Sequence, residues 1–423
     1  MNIMVIGSGG REHAVIRKIK ENPLADKIYA LPGNGGIAKD AECVNIKATD
    51  IEGQVEFAKT HGVDFAIVTP DDPLVLGAVD ALEEAGIPCF GPDKKAAIIE
   101  GSKIFSKNLM KKYGIPTASY ETFDDMGAAL RYLESAPIPI VVKADGLALG
   151  KGVTVAFTKE EAVKAVKDAM EGLKFGQSGA RLVIEEYLEG PEISVLSLTD
   201  GETILPLSSS MDHKAAFDGD KGPNTGGMGT IAPNPFYTEE VAQRCMKEIF
   251  LPTIRAMKEE GRPFKGCLYF GLMLTKDGPK VIEYNCRFGD PETQVVLPLL
   301  ESDLLKLMLA VRDGRLSKLS AKQKEGAAVC VIMASEGYPS SYEKGFEITI
   351  PEDLLDDVYV AGAVIKDGKL VTNGGRVLGV CARDKDLKTA LSKAYEKVGR
   401  IRFENAYWRK DIGHRAIELL NQN

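Results

Sequence analysis

The sequence predicts a multi-domain α/β protein whose N-terminal part is a doubly wound parallel sheet. Three observations carry this prediction. The chain has 423 residues, enough for about two to four domains. Its 44% hydrophobic and 27% charged residues are ordinary values for a globular protein. Short apolar runs recur near its start, and each ends in a turn rich in glycine or proline.

Composition and charge exclude several classes of protein. The formal net charge of −8 argues against a general nucleic-acid binder, so any anionic substrate needs a local basic cluster. The N-terminus does not resemble a signal peptide, and no run approaches the roughly 20 apolar residues of a membrane span. The seven cysteines include no C-x-x-C pair, which favours free thiols. We expect a cytoplasmic protein that binds neither nucleic acid nor membrane, and the sequence leaves monomer and dimer both open.

The first domain is expected at residues 1–101. Apolar runs at residues 3–6, 28–31 and 65–68 are its predicted strands, and each leads into a turn. A glycine turn between a strand and a helix can present backbone N–H groups to an anion, although ordinary turn chemistry explains each loop as well. The first turn is not the dinucleotide fingerprint, because Glu12 stands where that pattern needs glycine. This departure argues against a nicotinamide oxidoreductase, and His13 is expected on a helix surface.

A second unit is expected at residues 102–325, with a covering subdomain at about 118–190. A predicted strand at residues 138–142 leads to a glycine-rich loop with a lysine at each end, Lys143 and Lys151. Such a loop can close its amides over phosphates, and a plain glycine hairpin with surface lysines is the alternative. It is not a P-loop, because Gly152 stands where that pattern needs Ser or Thr.

Two further stretches of this unit are candidate binding elements. A strand followed by a bend at residues 185–190 can offer backbone groups to an adenine edge and a carboxylate to a ribose. The alternative is an acidic bend on the protein surface with no ligand. Residues 211–229 are predicted to form one long loop rich in glycine, which is typical of a binding loop. A helix at residues 237–260 and a hairpin at residues 267–287 are predicted to follow.

The stretch at residues 281–294, VIEYNCRFGDPETQ, holds the densest polar chemistry of the chain. It begins as a strand, in which Glu283 and Asn285 alternate onto one face. A carboxylate and an amide oxygen side by side suit Mg²⁺, and Arg287 follows as an anion-binding group. A salt-bridged glutamate and a turn-capping asparagine remain the structural alternative.

The remaining chain is predicted to be mostly structural. Residues 295–311 are expected to be helical and core-facing. The third domain, at residues 326–423, is predicted to hold short strands and a helix at residues 386–399. It carries no obvious chemical motif, and we expect it to close the site from one side.

Seven motifs in this order resemble the ATP-grasp ligases, and among them the glycinamide ribonucleotide synthetase family. They span the full chain: GSGGREHA at 7–14, PGNGG at 32–36, KADGLALGKGV at 143–153, EEYLEG at 185–190, DHK at 212–214, GPNTGGMG at 222–229 and YNCRFGDPETQ at 284–294. The resemblance implies an ATP-grasp fold between a doubly wound parallel-sheet domain and a small β-rich C-terminal domain. It also implies ATP-dependent ligation of glycine to 5-phosphoribosylamine through glycyl phosphate, giving glycinamide ribonucleotide, ADP and phosphate in purine biosynthesis.

The resemblance also implies a role for each matching residue. ATP is expected to contact Lys103, Lys143, Gly146, Gly150, Lys151, Gly152, Glu185, Glu186, Leu188 and Glu192. Mg²⁺, or Mn²⁺, is expected on Glu283 and Asn285. The catalytic residues at the glycine and amine end are expected to be Asp212, Lys214, Arg287 and Asp290. The substrate-binding residues are expected to be Gly9, Gly10, Pro32, Gly33, Asn34, His213, Asn224, Gly226, Gly227 and Pro291.

Two positions depart from the family pattern. Ala215 stands where a basic residue usually follows the DHK triplet, and Thr69 stands where the third N-terminal loop more often has glycine. Both concern the placement of the substrate and neither is a metal or nucleotide position. Two alternatives stay open, another ATP-grasp ligase with a different acid or amine and a non-catalytic nucleotide-binding module.

Overall fold

The N-terminal part is a five-stranded parallel sheet flanked by helices, as predicted. The computed structural model describes residues 1–147, 152–171 and 180–422. The strands lie in the order β3-β2-β1-β4-β5. Their bounds are Asn2–Gly7 (β1), Lys27–Pro32 (β2), Glu42–Cys43 (β3), Phe65–Val68 (β4) and Cys89–Phe90 (β5). The helices are Gly10–Ile19 (α1), Ile51–Thr60 (α2), Asp71–Leu76 (α3), Ala78–Glu84 (α4) and Lys94–Gly101 (α5), with a 3-10 turn at Ile37–Lys39.

A connecting helix and a small antiparallel sheet follow. Helix α6 spans Lys103–Tyr113; the Ser102 hydroxyl accepts a hydrogen bond at its N-terminus, and Gly114 ends it in the left-handed conformation. The small sheet has the order β6-β9-β7-β8. It consists of Tyr120–Phe123 (β6), Ile140–Ala144 (β7), Val153–Ala156 (β8) and Leu182–Glu186 (β9), packed against helices Met126–Ser135 (α7) and Lys159–Met170 (α8). This subdomain lies in the range predicted for the cover.

One large sheet runs through the central and C-terminal parts. Its order is β16-β15-β10-β11-β14-β17-β21-β18, and β22 pairs with β17. The strands are Glu192–Thr199 (β10), Ile204–Asp212 (β11), Gly229–Ala232 (β14), Gly266–Thr275 (β15), Gly278–Asn285 (β16), Ala327–Ser335 (β17), Val358–Val360 (β18), Arg376–Asp384 (β21) and Ala406–Tyr407 (β22). Pairing of β14 with β17 joins the two parts, so the C-terminal strands extend the central sheet.

One prediction of local structure in this region is wrong. Residues 211–229 form a hairpin of strands Ala215–Phe217 (β12) and Lys221–Asn224 (β13), and are therefore not one irregular loop. The prediction that residues 295–311 are helical and core-facing is confirmed, and they form two helices, Thr293–Leu299 (α11) and Leu304–Arg312 (α12). Pro298 lies within α11 and lacks an N–H, the backbone turns extended at Leu300, and Asp303 caps a new helix.

The other elements match their predicted positions more closely. The helix predicted at residues 237–260 is Glu239–Cys245 (α9) and Leu251–Glu259 (α10), joined by a π turn at Met246–Phe250. The C-terminal part adds the strands Ala363–Lys366 (β19) and Lys369–Thr372 (β20), the helices Leu387–Val398 (α13) and His414–Gln422 (α14), and 3-10 turns at Leu316–Lys318 and Glu352–Asp357. Within the described ranges, every helix is too short or too polar to cross a bilayer.

Candidate active site

A buried cluster of two lysines and one glutamate lies between the small sheet and helix α6. Glu185, at the end of β9, is 4% exposed and forms ion pairs with Lys143 and with Lys107, the latter at 2.5 Å. Lys107 also donates to the Thr117 hydroxyl at 2.8 Å, and burial lowers the pKa of Lys107 to about 8. The sequence analysis missed Lys107, although it lies one helical turn after Lys103 and therefore on the same face of α6.

The entrance to the glycine-rich loop is tied to the N-terminus of α6. The carboxylate of Asp145 accepts hydrogen bonds from the Ser102 hydroxyl, from the N–H of Ile104 and from Arg181. Lys103 donates to the carbonyl of Gly146 at 2.6 Å. Gly152 is buried where β8 begins, whereas Gly150 and Lys151 lie outside the described residues. The loop therefore starts beside Lys103 and Lys143, where a phosphate group would meet positive charge.

Glu283 and Asn285 alternate onto one face of β16, as predicted. They are half-buried, whereas Tyr284 between them is buried on the opposite face. Lys214, followed by Lys143 and Lys103, lowers the pKa of Glu283 to about 2 and outweighs burial. The amide of Asn285 has no hydrogen-bond partner in the part of the chain that the structure describes. An ionised carboxylate and a free amide oxygen suit a hard cation.

The residue that faces Glu283 on the neighbouring strand is a glycine and supplies no carboxylate for a metal ion. Gly271 of β15 is the register partner of Glu283, and a Cβ there would lie 3.0 Å from its Cγ. Among the described residues no three His, Cys, Asp or Glu side chains form a metal cluster. A cation on Glu283 and Asn285 would therefore take its remaining ligands from phosphate oxygens and water, which is the usual situation for Mg²⁺ at a nucleotide.

Lys214 links Glu283 to the predicted ribose contact. Its Nζ lies 3.4 Å from Glu192 and 3.4 Å from Glu283. Although burial acts to lower the pKa of Lys214, the two carboxylates raise it well above its usual value. Lys214 is therefore a fixed positive charge between the residues predicted to bind ATP and the region where glycine is expected to bind.

Asp212 and Glu292 form an acidic pair near Lys214, in which Glu292 is buried and Asp212 is half-buried. Burial, followed by the nearby charge of Glu292, raises the pKa of Asp212 well above its usual value, and burial also raises the pKa of Glu292. One oxygen of Asp212 accepts the backbone N–H of His213 at 2.8 Å. Two carboxylates that repel each other in a buried space share a proton more readily than they both ionise.

Arg287 connects the stretch at residues 281–294 to the N-terminal sheet. Its guanidinium lies 3.2 Å from Glu100 and 3.7 Å from Asp71. Burial acts to lower the pKa of Arg287, but these carboxylates raise it. Its Nε is buried without a hydrogen-bond partner among the described residues. Since an unpaired buried donor is unfavourable, this nitrogen is suited to an acceptor on a substrate.

The first glycine turn packs directly on the residues after Arg287. A Cβ on Gly9 would lie 3.1 Å from the Asp290 carboxylate, and one on Gly10 would lie 2.6 Å from the Gln294 amide. The N–H of Gly9 donates to Glu12 at 2.5 Å. The loop and its neighbour therefore approach so closely that a side chain at either position would displace the Asp290 carboxylate or the Gln294 amide.

Two residues that were predicted to contact the substrate, Asn34 and His213, form hydrogen bonds with the backbone instead. The Asn34 amide donates to the carbonyls of Ser8 and Val360 and accepts from two backbone N–H groups. His213 is bonded at one ring nitrogen to the carbonyl of Gly229 and at the other to the N–H of Gly413, and burial lowers its pKa to about 4. Both side chains are fully engaged within the protein, so each shapes its loop rather than reaching outward.

His13 likewise has a structural role that the sequence analysis missed. It is 1% exposed, so the expected position on a helix surface is wrong. One ring nitrogen accepts the N–H of Val360 at 2.9 Å and the other pairs with Asp40 at 3.1 Å. His13 thereby joins the first glycine turn to the C-terminal part.

Arg376 of the C-terminal part contacts two of the predicted site loops, and sequence reasoning missed it as well. Its guanidinium donates to the carbonyls of Gly226 and Asp290, each at 2.8 Å, and lies 3.6 Å from the Asp290 carboxylate. The Tyr338 hydroxyl accepts the N–H of Gly226 at 3.1 Å. That this part closes the site from one side stays a prediction, and these contacts are consistent with it. The glycine pair just before Arg376 was the available signal, because it marks a turn like those at the other site loops.

The other predicted residues differ in their exposure and in their contacts. The carboxylate of Glu186 accepts the N–H and hydroxyl of Ser119, and Leu188 is half-buried in the bend that follows. Pro291 is buried against Gly227, whose added Cβ would lie 2.4 Å from its Cδ. Pro32 and Gly33 are half-buried where β2 ends, and Asn224 is exposed where β13 ends. Thr69 donates to the carbonyl of Ile6 and is buried, so its hydroxyl is used within the N-terminal sheet.

Comparisons with known proteins cover the whole chain. Models of the phosphoribosylglycinamide synthetase N domain, ATP-grasp (A) domain and C domain match residues 1–100, 101–293 and 328–415. The chain is 49% identical over 423 residues to phosphoribosylamine–glycine ligase of Vibrio vulnificus, covering 99% of each chain. It is 49% identical over 419 residues to the ligase of that name from Rhizobium meliloti, again covering 99% of each.

Solved structures show the same similarity. The crystal structure of phosphoribosylamine–glycine ligase from Thermotoga maritima matches with a TM-score of 0.86 and 34% identity, over 97% of this chain and 100% of the other. A biotin carboxylase from Campylobacter jejuni, in complex with an ATP analogue, matches with a TM-score of 0.77 and 16% identity, over 100% of this chain and 96% of the other. The second match supports the fold alone.

Proposed function

The chain belongs to the phosphoribosylglycinamide synthetase family, and from this premise we propose that its site ligates glycine to 5-phosphoribosylamine with ATP. The products are glycinamide ribonucleotide, ADP and phosphate, and the reaction is a step of purine biosynthesis. The observation that carries the proposal is the cluster of Lys103, Lys143 and Lys214 around the ionised carboxylate of Glu283. Positive charge and one metal-type ligand are the parts that phosphoryl transfer needs.

The chemistry explains why ATP is required. A carboxylate is a poor electrophile, so the glycine carboxylate first takes the terminal phosphoryl group of ATP, which gives glycyl phosphate and ADP. The amine of 5-phosphoribosylamine then attacks the acyl carbon, phosphate leaves, and the amine loses a proton. The protein contributes position and charge and no covalent nucleophile.

The nucleotide half of the site consists of Lys103, Lys107, Lys143, Glu185 and Glu283. Lys103 and Lys143 neutralise the phosphates. The glycine-rich loop that begins at Gly146 and includes Gly150, Lys151 and Gly152 is proposed to bind them, although Gly150 and Lys151 lie outside the described residues. Glu185, Glu186 and Leu188 frame the adenine, and Glu192 holds the ribose. Lys107 holds the Glu185 carboxylate in one position through its ion pair.

Glu283 and Asn285 would hold a divalent cation. The donor set fits, because the carboxylate stays ionised far below neutral pH and the amide oxygen is free. Such a cation supplies charge neutralisation at the phosphate oxygens. Oxygen ligands of this kind suit Mg²⁺ first, and Mn²⁺ is the alternative.

The acid and amine end consists of Asp212, Lys214, Arg287 and Asp290. Lys214 faces the glycine carboxylate, and the free Nε of Arg287 donates to the bound substrate. The phosphoribosylamine lies on the backbone of the glycine turns at residues 9–10, 32–34 and 224–227, closed by Pro291. Asn34 and His213 act indirectly there by holding those turns. The units that carry these parts are residues 1–101, 102–325 and 326–423, and the enzyme works in the cytoplasm.

The test is an ADP-release assay in which each substrate is omitted in turn. We expect ADP formation to require glycine and 5-phosphoribosylamine together. Equal turnover with an unrelated acid or amine would contradict the proposal and favour another ATP-grasp ligase. Binding of ATP without any turnover would instead favour a non-catalytic nucleotide-binding module.

A further inference from the structure

A second, cationic cleft lies away from the active site, where α1, the end of α11 and the strands β18 and β21 meet. Its volume is about 290 Å³. Four cations and two carboxylates are among the residues that line it: Arg17, Lys18, Lys324, Arg383, Glu21 and Asp356. The excess of two positive charges stands out on a chain whose formal net charge is −8.

Two of the four cations have no carboxylate partner. Lys18 pairs with Glu21 at 2.7 Å, and Arg17 pairs with Asp40 at 3.1 Å. Lys324 and Arg383 instead share the carbonyl oxygen of Pro298, at 3.2 and 3.0 Å, and neither forms an ion pair with any described residue. Their charge is therefore available to a ligand.

The cations crowd one another. Besides burial, the positive charges of Lys18 and Arg383 lower the pKa of Lys324. Capping of the carbonyl end of α11 explains why Lys324 and Arg383 point at Pro298. It does not explain the excess charge or the open volume beside them. A bound anion would relieve the repulsion, and Arg383 offers the planar donor set that suits a phosphate group.

The cleft is connected to the active site by two helices. Helix α1 begins at Gly10, against Gln294, and ends at Ile19. Helix α11 begins at Thr293, directly after the substrate loop, and ends at Leu299. The two helices pack against each other, so both start at the active site and both end near the cleft.

From this geometry we propose that the cleft binds a small phosphate-bearing anion and that its occupancy changes the affinity of the active site for 5-phosphoribosylamine. The anion draws Lys18, Lys324 and Arg383 together and so fixes the ends of α1 and α11. A change there reaches Gly10 and the substrate loop through the packed helices. The second half of this inference rests on the proposed function, whereas the binding itself does not.

The binding test is calorimetric titration with inorganic pyrophosphate at fixed ionic strength, on protein saturated with ADP so that the nucleotide positions are filled. The variant is Lys324→Gln with Arg383→Gln. Its matched control is Lys322→Gln with Lys385→Gln, which removes two neighbouring charges outside the cleft. We expect wild type and control to bind alike and the cleft variant to bind about tenfold more weakly, the loss of one charged hydrogen bond.

Equal binding by all three proteins, or no binding by the wild type, would overturn the proposal. The coupling is tested by the KM for 5-phosphoribosylamine with and without pyrophosphate, at constant free Mg²⁺. Pyrophosphate should change that KM in wild type and control but not in the cleft variant. An unchanged KM in all three would remove the coupling. Since the titration needs no turnover, its result stands apart from any failure of the proposed ligase activity.

Discussion

The two halves of the proposed active site use their polar residues in opposite ways. In the nucleotide half, lysines and glutamates face one another across a buried space, as Lys107 and Lys143 do around Glu185. The substrate half comprises residues 9–10, 32–34, 212–214, 226–227 and 290–291. There most polar side chains hold backbone, as Asn34 and His213 do, and glycines allow loops to touch.

Because of this difference, a residue in a sequence motif can contribute in two ways, through its own charge or through the loop that it shapes. In the nucleotide half a motif residue acts through its own charge, so neutralising that charge should remove function or stability directly. In the substrate half a motif residue often acts by shaping a loop, so the backbone amides that it positions are what a ligand would meet. The following predictions test this contrast, from the largest expected effect to the smallest.

Replacing Lys107 by Met should destabilise the nucleotide half most. Lys107 is 2% exposed, and its removal leaves Glu185 buried with Lys143 as its one described cationic partner. Breaking a buried ion pair in this way costs about 3–5 kcal/mol. Urea unfolding measures the loss, and the matched control is Lys112→Met on the exposed side of the same helix. Similar unfolding of both variants would mean that Lys143 alone suffices for Glu185.

Replacing Glu283 by Gln should abolish most turnover while the fold is retained. The change keeps the size of the side chain but removes the ionised oxygen that three lysines stabilise. We expect at least about a 100-fold loss of kcat, as for the removal of one preorganised electrostatic group. The ADP-release assay measures it, with circular dichroism for the fold. The control is Glu347→Gln, an exposed glutamate paired with Lys369 far from the site. Wild-type turnover would refute the metal assignment.

His213 should make the substrate half sensitive to acid. Burial holds its pKa near 4, below the value of about 6.5 expected in the unfolded chain. The unfolded chain therefore binds the proton first, and stability is lost as pH falls from 6.5 towards 4. The loss from this group at pH 5 is about 2 kcal/mol.

Urea unfolding of the wild type and of His213→Gln at pH 7 and pH 5 measures this loss. The wild type should lose about 2 kcal/mol more than the variant between these pH values. The control is His61→Gln, since His61 lies exposed at the end of α2. The same pH dependence in wild type and His213→Gln would show that the ring is not held neutral.

The sequence predicted features that depend on neighbouring residues and missed those that depend on distant ones. Strand alternation correctly gave one face to Glu283 and Asn285, because that periodicity is local. The partners of Arg376 lie 86 and 150 residues away, at Asp290 and Gly226, and no local pattern identifies such contacts. His213 was assigned to the substrate by the family resemblance of the DHK motif, although its ring is bonded to the backbone at both nitrogens.

The same distinction between neighbouring and distant residues applies to the prediction of the fold. The parallel N-terminal sheet was predictable, because each strand and its turn repeat along about 100 residues. The continuous central sheet could not be predicted, because it requires β14 to pair with β17. Helices α9 to α12 separate these two strands in the sequence. The break between α11 and α12 had a local signal in Pro298, whereas the apolar periodicity predicted only that the stretch is helical.

The smallest predicted effect separates close packing from backbone strain in the substrate half. Gly227 has a φ of +117°, and an added Cβ would lie 2.4 Å from Pro291 and 2.6 Å from Asp212. Gly261 has a φ of +69° with nothing within 4 Å of such a Cβ, so Gly261→Ala reports strain alone. Gly227→Ala should cost about 1–2 kcal/mol more, since overpacking adds to the strain.

Urea unfolding of the two glycine variants measures that difference, and the ADP-release assay shows where it acts. Gly227→Ala should raise the KM for 5-phosphoribosylamine and leave the KM for ATP unchanged, because the clash displaces Pro291 and Asp212 and does not reach Lys143 or Glu283. Gly261→Ala should alter neither KM. If Gly227→Ala weakened ATP as strongly as the amine, the two halves would be one mechanical unit, and the contrast between charge in one and loop shape in the other would fail.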